Sequence, residues 1–551
     1  MIKLFFVLLV IVIVASKQWD DIVIGAGNSG SSYAGKASSN PDRNVLVLEE
    51  GYDQSTQMSN IHGFYNDIIY PAIPENVRYF GDKFDHVKHL YSTEGPSMGY
   101  RHLYFPRPRL AGGGSSLNGE VFARITADNL ARWNSSLWTY DATLDDWKDF
   151  VNFVDCVAPY CNTTAHGTTG NLKTVKISPD PYLSMAMGAF ASYMNLSLIS
   201  DPQGYSAEGV GITHRNFEVI NATTLVRQDA YTKLLKPYLN RQNLKVIFGA
   251  KVLGVEIKAN GKHIVKYLKD GQIVTVKAKE RVLFAAGAIV TAQTVQLSGI
   301  GNCTELESRG IDCEVENNYV GKNLHANVLY ASVYASLLGA PPMMSPGSIA
   351  MASYVSPLTG ERLELSFGGL TVSGNYVIFF QLNQADKNFN GYVKLKDKDP
   401  MTDPDFSYNL YENPLDVIGL AGQALDIRAA LEAFKIPHPF IPNATFSPFF
   451  EVVPGFTSVP PGSTAQSASS YFTENANPGH TYGSMNMHKV VTPRCQIMNS
   501  EGEPIPGLYV IDNSIVPTGI DTHGMSSTAM LIGRVCARFA LEDSENKRVD
   551  R

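Results

Sequence analysis

The feature that most limits what this chain can become lies in residues 20–51. Asp20-Asp21-Ile22-Val23-Ile24 reads as a short strand, and Gly25-Ala26-Gly27-Asn28-Ser29-Gly30 follows at once. A small-residue stretch, 31–38, then ends in the turn cluster Ser39-Asn40-Pro41-Asp42. A second strand, Val45-Leu46-Val47-Leu48, closes in Glu49-Glu50-Gly51. The spacing predicts a β–α–β unit of about thirty residues with a GxGxxG turn. Gly25 permits the tight turn, Gly27 lets the backbone approach a pyrophosphate, and Gly30 lets the helix pack close to the strand. Asn28 and Ser29 open the helix, whose N-terminal N–H groups and dipole favour phosphate. Glu49 falls nineteen residues beyond Gly30. A carboxylate there, with Glu50 beside it, can accept both ribose hydroxyl protons and argues against a 2′-phosphate. These residues leave NAD and FAD both open, and a glycine-rich loop without a ligand is the bland alternative.

The rest of the chain must accommodate that unit. At 551 residues it is too long for one core, so two domains are expected. Net charge is −7 and no basic block stands out, which excludes a nucleic-acid footprint. Met1-Ile2-Lys3, the apolar run Leu4 to Val14 and Ala15-Ser16-Lys17 read as a secretory signal peptide over 1–16, too short for a bilayer span. A buried first strand or a membrane anchor is the alternative. No other apolar run is long enough to cross a membrane. Sequons at Asn134, Asn162, Asn195, Asn221, Asn302 and Asn443 become plausible glycan sites on a secreted chain. Cys156/Cys161 and Cys303/Cys313 are spaced for local disulfides, and Cys495 and Cys536 are expected to be buried thiols. No Cys/His cluster has zinc spacing, so no metal is expected.

A second glycine cluster, Pro106-Arg107-Pro108-Arg109-Leu110-Ala111-Gly112-Gly113-Gly114-Ser115-Ser116-Leu117-Asn118, offers a backbone able to press against a flat ring. At this segment the chain resembles the glucose–methanol–choline (GMC) oxidoreductases, a family of FAD enzymes. The likeness continues through residues 286–293, Leu297-Ser298-Gly299-Ile300-Gly301, Val320-Gly321-Lys322-Asn323-Leu324 and Gly391-Tyr392-Val393-Lys394-Leu395. It ends with 507–514 and Pro517-Thr518. Ala111, Ala292 and Ala326-Asn327 depart from the usual residues. Leu117 stands where some members carry a histidine bonded to FAD, so the resemblance implies FAD held non-covalently.

It also implies a fold and a site. The fold is α/β (α+β overall), a Rossmann-like FAD domain with a second substrate domain on an antiparallel sheet. The FAD domain would take 18–160, 220–330 and 480–551, the substrate domain 161–219 and 331–479. Residues 243–246 and 251–253 read as paired strands, and 281–286 as a buried strand. Leu531, Val535 and Phe539 mark one face of a final helix. Residues 340–347 and 453–463 read as loops. Beyond the first unit, the cofactor contacts implied are Leu110, Gly114, Ser115, Asn118, Gly119, Glu120, Val121, Val252, Gly287, Asp512, Asn513, His523, Gly524 and Met525. The catalytic pair implied is His480, as general base, and His523, orienting the hydroxyl, because imidazole titrates near the working pH. Gly479 replaces a usual aromatic, which predicts a more open pocket floor, and Gly524 replaces a usual proline. The function implied is oxidation of a CH–OH group, with hydride passing to flavin N5. A hydroxynitrile (mandelonitrile-type) lyase acting on a cyanohydrin, a fatty acid photodecarboxylase and a non-catalytic secreted FAD-binding protein are the alternatives.

Overall fold

In a computed structural model of the protein the described residues are 18–53, 87–156, 161–202, 208–221, 224–339, 348–356, 362–372, 375–385, 390–475, 477–520 and 524–549. The expected leader 1–16, the loop 340–347 and His523 lie outside them.

Two sheets carry the architecture. The first is built on β1 (Trp19–Ile24), α1 (Asn28–Ala37) and β2 (Val45–Leu48). β2 and the strand Gln272–Phe284 flank β1 in parallel, and Leu244–Ile247 extends the sheet beyond β2. Residues 22–24 and 45–48 are all buried, which is why they form an apolar run rather than an alternating one. Pro504–Val510 pairs in parallel with the end of Gln272–Phe284. Lys251–Glu256 does not pair with Leu244–Ile247, as the sequence suggested. It pairs antiparallel with Ile264–Lys269, which in turn pairs with Gln272–Phe284. Two short apolar runs joined by a tight Phe248-Gly249-Ala250 connection look like a hairpin, but the parallel partner offered by β2 wins the first of them.

The second sheet is antiparallel. Its spine is the long strand Lys322–Ser336, paired with Asn375–Ala385 on one side and with Phe449–Val453 and Asn477–Tyr482 on the other. Arg362–Val372, Ile349–Val355 and Gly209–Ile212 continue it outward. Helices Pro181–Tyr193 and Pro414–Ala433 pack over its outer face, where Phe367 and Phe380 stack with centroids 4.7 Å apart. The expected boundaries at 330 and 480 therefore fall inside strands that belong wholly to this sheet.

The closing helix Met525–Val549 buries Leu531, Val535 and Phe539 as the periodicity predicts. It crosses α1 closely: a Cβ on Gly533 would lie 2.1 Å from the Ser29 carbonyl oxygen. Among the described residues no helix is long and apolar enough to cross a membrane.

Cys156–Cys161 and Cys303–Cys313 form disulfides, as their spacing permits. Cys495 and Cys536 are not thiols but a third disulfide, closing a separation of 41 residues. The turn at Cys495 (φ +66°) brings the chain against the closing helix, a tertiary contact that spacing cannot reveal. Cys536→Ser is expected to cost about 2–4 kcal/mol of unfolding free energy, read by denaturant titration without reductant. Cys161, His166 and Asp201 converge, but the Cys161 sulfur is held in its disulfide and His166 Nε2 bonds Asp201 at 2.9 Å.

Candidate active site

The first glycine turn is shaped by close approaches. Gly25 has φ +108°, and a Cβ there would lie 2.6 Å from the Ala285 carbonyl oxygen. A Cβ on Gly30 would lie 2.0 Å from the Gly25 oxygen, so Gly30 serves packing of α1 on β1. Gly27 differs. It is the N-cap of α1, no side chain caps the helix, and a Cβ on it would meet only Gly113 Cα at 3.9 Å. The helix N-terminus thus faces open space with its N–H groups presented. Gly112 N–H donates to the Ala26 carbonyl at 2.8 Å, which fastens the second glycine loop against the first.

A cavity of about 1240 Å³ runs between the two sheets from this turn. Gly25, Gly27, Asn28, Ser29, Glu49, Glu50, Leu110, Gly114, Asn118, Gly119, Val121 and Val252 line it on one side. Gly287, His480, Asp512, Asn513 and Met525 line it on the other. Four residues expected in the site are not in its wall. Gly30 packs as described. Ser115 donates to Gly112 O at 2.8 Å and accepts from Ala230 N at 3.0 Å, which shapes the loop from behind. Glu120 is buried in ion pairs with Arg215 at 3.1 Å and Arg227 at 3.2 Å. Gly524 packs on the Ala123 carbonyl, where a Cβ would come within 2.0 Å. A motif marks these positions because the loop needs them, whether or not a ligand touches them.

The polar groups of the wall have distinct environments. Glu49 accepts from Ala26 N–H and Gly51 N–H, both at 2.8 Å. Burial pushes its pKa up, while those two bonds pull it back. Burial works on Glu50 in the same sense, but Arg107 at 2.8 Å and Lys251 at 3.2 Å overcome it and hold the carboxyl at about 2. Asp512 takes Gly287 N–H at 2.8 Å and the Thr291 hydroxyl at 2.6 Å on one oxygen. Its other oxygen takes Ser514, so the acid orders the turn rather than waiting for a ligand. Asn513 Nδ2 donates to the Met525 carbonyl at 3.0 Å, which ties it to the closing helix. Asn28 Oδ1 and Asn513 Oδ1 are buried without a hydrogen-bond partner among the described residues, both on the cavity wall.

Sequence reasoning missed the residues that brace this wall. Arg227 Nη1 donates to the main-chain carbonyls of Ser115 and Asn118 and to Asn118 Oδ1, and Asn118 Nδ2 donates to Ser526 Oγ at 3.0 Å. Nothing local marks Arg227, which lies more than a hundred residues from its partners. Leu329 was missed too. A Cβ on Gly479 would lie 2.0 Å from Leu329 Cδ1, so Leu329 fills the space an aromatic would take. The floor beside His480 is not open, contrary to the expectation from Gly479.

His480 sits on the strand Asn477–Tyr482, held by main-chain pairing to Asn327. It is half-buried, with its ring at the cavity wall. The helix Met525–Val549 begins at the same cavity.

The sequence profile of the GMC oxidoreductases matches residues 19–329 with its N-terminal part and 388–532 with its C-terminal part. The chain belongs to the GMC oxidoreductase family. It is 26% identical over 423 residues to a 5-(hydroxymethyl)furfural oxidase of Methylovorus sp. (strain MP688), covering 72% of this chain and 75% of that protein. It is 26% identical over 488 residues to an oxygen-dependent choline dehydrogenase of Staphylococcus aureus (strain MSSA476), covering 80% and 79%. Among solved structures the fold is similar to formate oxidase, with TM-score 0.79, 16% identity and coverage of 96% and 99%. It is also similar to pyridoxine 4-oxidase from Mesorbium loti, with TM-score 0.76, 19% identity and coverage of 95% and 99%. This GMC protein is therefore an oxidoreductase with FAD as its cofactor. The residues present suit FAD: an uncapped helix N-terminus, a glycine at which a Cβ would point into open space, and unpartnered amide oxygens on Asn28 and Asn513.

Proposed function

We propose that this enzyme oxidises the CH–OH group of an alcohol, with His480 as the base that takes the hydroxyl proton. The observation that carries this is the position of His480 on the wall of the cavity that the glycine turns, Asp512 and Asn513 also line. FAD, when bound, supplies the acceptor for the hydride leaving the same carbon. The imidazole removes the proton that would otherwise hold the electrons on oxygen. The strand pairing to Asn327 fixes the backbone that carries the ring. The N-terminus of Met525–Val549 favours negative charge developing nearby. Gly27, Asn28 and Ser29 would hold the pyrophosphate, and Glu49 the ribose. By family resemblance His523 would orient the hydroxyl. The names of relatives that act on alcohols support the reading, among them a fungal aryl-alcohol oxidase of similar fold.

The test is the visible spectrum of the purified enzyme followed by anaerobic addition of alcohols. Bleaching of the flavin band is expected. Cyanide release from mandelonitrile without bleaching would replace oxidation with a lyase reaction. Leu117 lines the cavity and offers no nucleophilic atom, so FAD attachment is proposed to be non-covalent. Acid precipitation is expected to leave all the flavin in the supernatant, and yellow protein in the pellet would refute this.

The three disulfides favour passage through an oxidising secretory compartment. In that case Asn134, Asn195 and Asn443, which are exposed at left-handed turns, are expected to carry glycans. Asn302 is not, because its side chain caps Cys303–Glu307 and donates to Asn318. Peptide mass mapping before and after glycosidase treatment checks all four positions.

A further inference from the structure

The wall nearest His480 is mixed, with Arg101, His102, Glu474, Asn475, Asn477 and Thr481 on it, and an apolar stretch lies beside them. Leu103, Phe105, Leu117, Val121, Leu329 and Ala331 face the same space. From the second sheet, beyond the His480 strand, Tyr330 and Gln381 join them; the Tyr330 hydroxyl is bonded to that of Tyr471, and Gln381 lies on the strand Asn375–Ala385. It is 8% exposed and forms no side-chain hydrogen bond among the described residues. Directly opposite it on Arg362–Val372 stands Ser366, fully buried, whose hydroxyl also has no partner among the described residues. Paired residues project on the same face of a sheet. Their neighbours Phe367 and Phe380 stack in the core on the other face, so Gln381 and Ser366 both point toward the cavity side.

Buried polar groups are normally satisfied, and leaving one unpaired costs about 1–3 kcal/mol. Gln381 stands on the cavity wall and Ser366 lies opposite it on the same sheet face, both without a protein partner among the described residues, which points to a ligand partner. The register places them. His480 pairs with Asn327 and Gln381 pairs with Ala331, on opposite sides of the same strand. Four residues along a strand is about 14 Å and two strand spacings about 10 Å. Gln381 is therefore too far from His480 to hold the reacting hydroxyl.

We infer that Gln381, with Ser366 beside it, is a specificity-determining site for a neutral hydrogen-bonding group at the far end of an extended substrate. The substrate class is a long alcohol with an apolar middle and a second polar terminus. This rests on the proposed oxidation of a CH–OH group only for which end reacts.

Matched pairs of 1-alkanols and α,ω-diols, from butyl to dodecyl, test it. Binding is read as perturbation of flavin absorbance on the FAD-loaded His480→Ala enzyme, which needs no turnover. At some chain length the diol is expected to bind about tenfold more tightly than the alkanol. In a Gln381→Leu background that advantage should fall below about twofold, with Ser366→Ala intermediate. Gln381→Glu keeps the size of the side chain and should shift preference toward the ω-amino alcohol of the same length. It carries the test should Gln381→Leu lose FAD. No diol advantage at any length, or one that survives both Gln381 substitutions, overturns the inference. A diol advantage without flavin bleaching in the parent enzyme would leave the far site standing and remove the oxidation reading.

Discussion

His480→Ala is expected to lower the rate of anaerobic flavin reduction by alcohols about 10²–10⁴-fold. The variant should keep its FAD spectrum and its melting temperature. His480 is held through its backbone, by strand pairing to Asn327, so removing the ring leaves the strand in place. A histidine with only a structural task would show the opposite pattern, with FAD or fold lost and the rate per bound flavin kept. Stopped-flow reduction across pH separates the two. The parent enzyme should show a pH-dependent limb in the limiting rate that disappears in His480→Ala. Near-normal reduction in the variant would end the assignment.

The second large effect is a contrast between two glycines of one motif. Gly27 has φ −75°, and a Cβ on it meets nothing closer than 3.9 Å, so the protein tolerates alanine there. The methyl group would stand where we propose that the pyrophosphate approaches. Gly27→Ala is expected to weaken FAD binding more than about 100-fold, about 2.7 kcal/mol, while the apoprotein melts as before. Gly30→Ala puts its Cβ 2.0 Å from a carbonyl oxygen of the turn itself. It should destabilise the apoprotein by about 1–3 kcal/mol or more before any ligand is considered. Equilibrium dialysis with FAD and melting of the apoproteins report the two quantities independently. If both variants lose stability equally, Gly27 is a packing residue and the phosphate position is wrong.

These two glycines also show where sequence is a good guide and where it stops. The β–α–β unit is legible because its whole logic is local: an apolar run, a turn that only glycine permits, and a carboxylate at the next strand end. Glu49 meets the cavity for that reason. Gly30, Ser115, Glu120 and Gly524 occupy motif positions as well, yet they hold the loops from behind. Sequence shows that a position is demanding without showing which neighbour makes the demand. Long-range partners are hidden altogether. Cys495 finds Cys536 through the packing of the closing helix, Leu329 fills the space above Gly479, and Arg227 braces the second glycine loop from another part of the chain. The pairing of Leu244–Ile247 with β2, rather than with the next strand, is a competition between partners that only the assembled sheet decides.

The close crossing of α1 and the closing helix has a consequence for the order of events during synthesis. The first glycine turn is made about 500 residues before Gly533, which lets the closing helix seat on Ser29. The strand Pro504–Val510 that completes the parallel sheet is late as well. At about 5–20 residues per second, roughly half a minute to two minutes separate the two elements at the ribosome. Until the end is released, the nascent nucleotide unit lacks its cover. FAD is therefore expected to load only once the closing helix has been made, which binding of FAD by a product cut before Gly533 would refute.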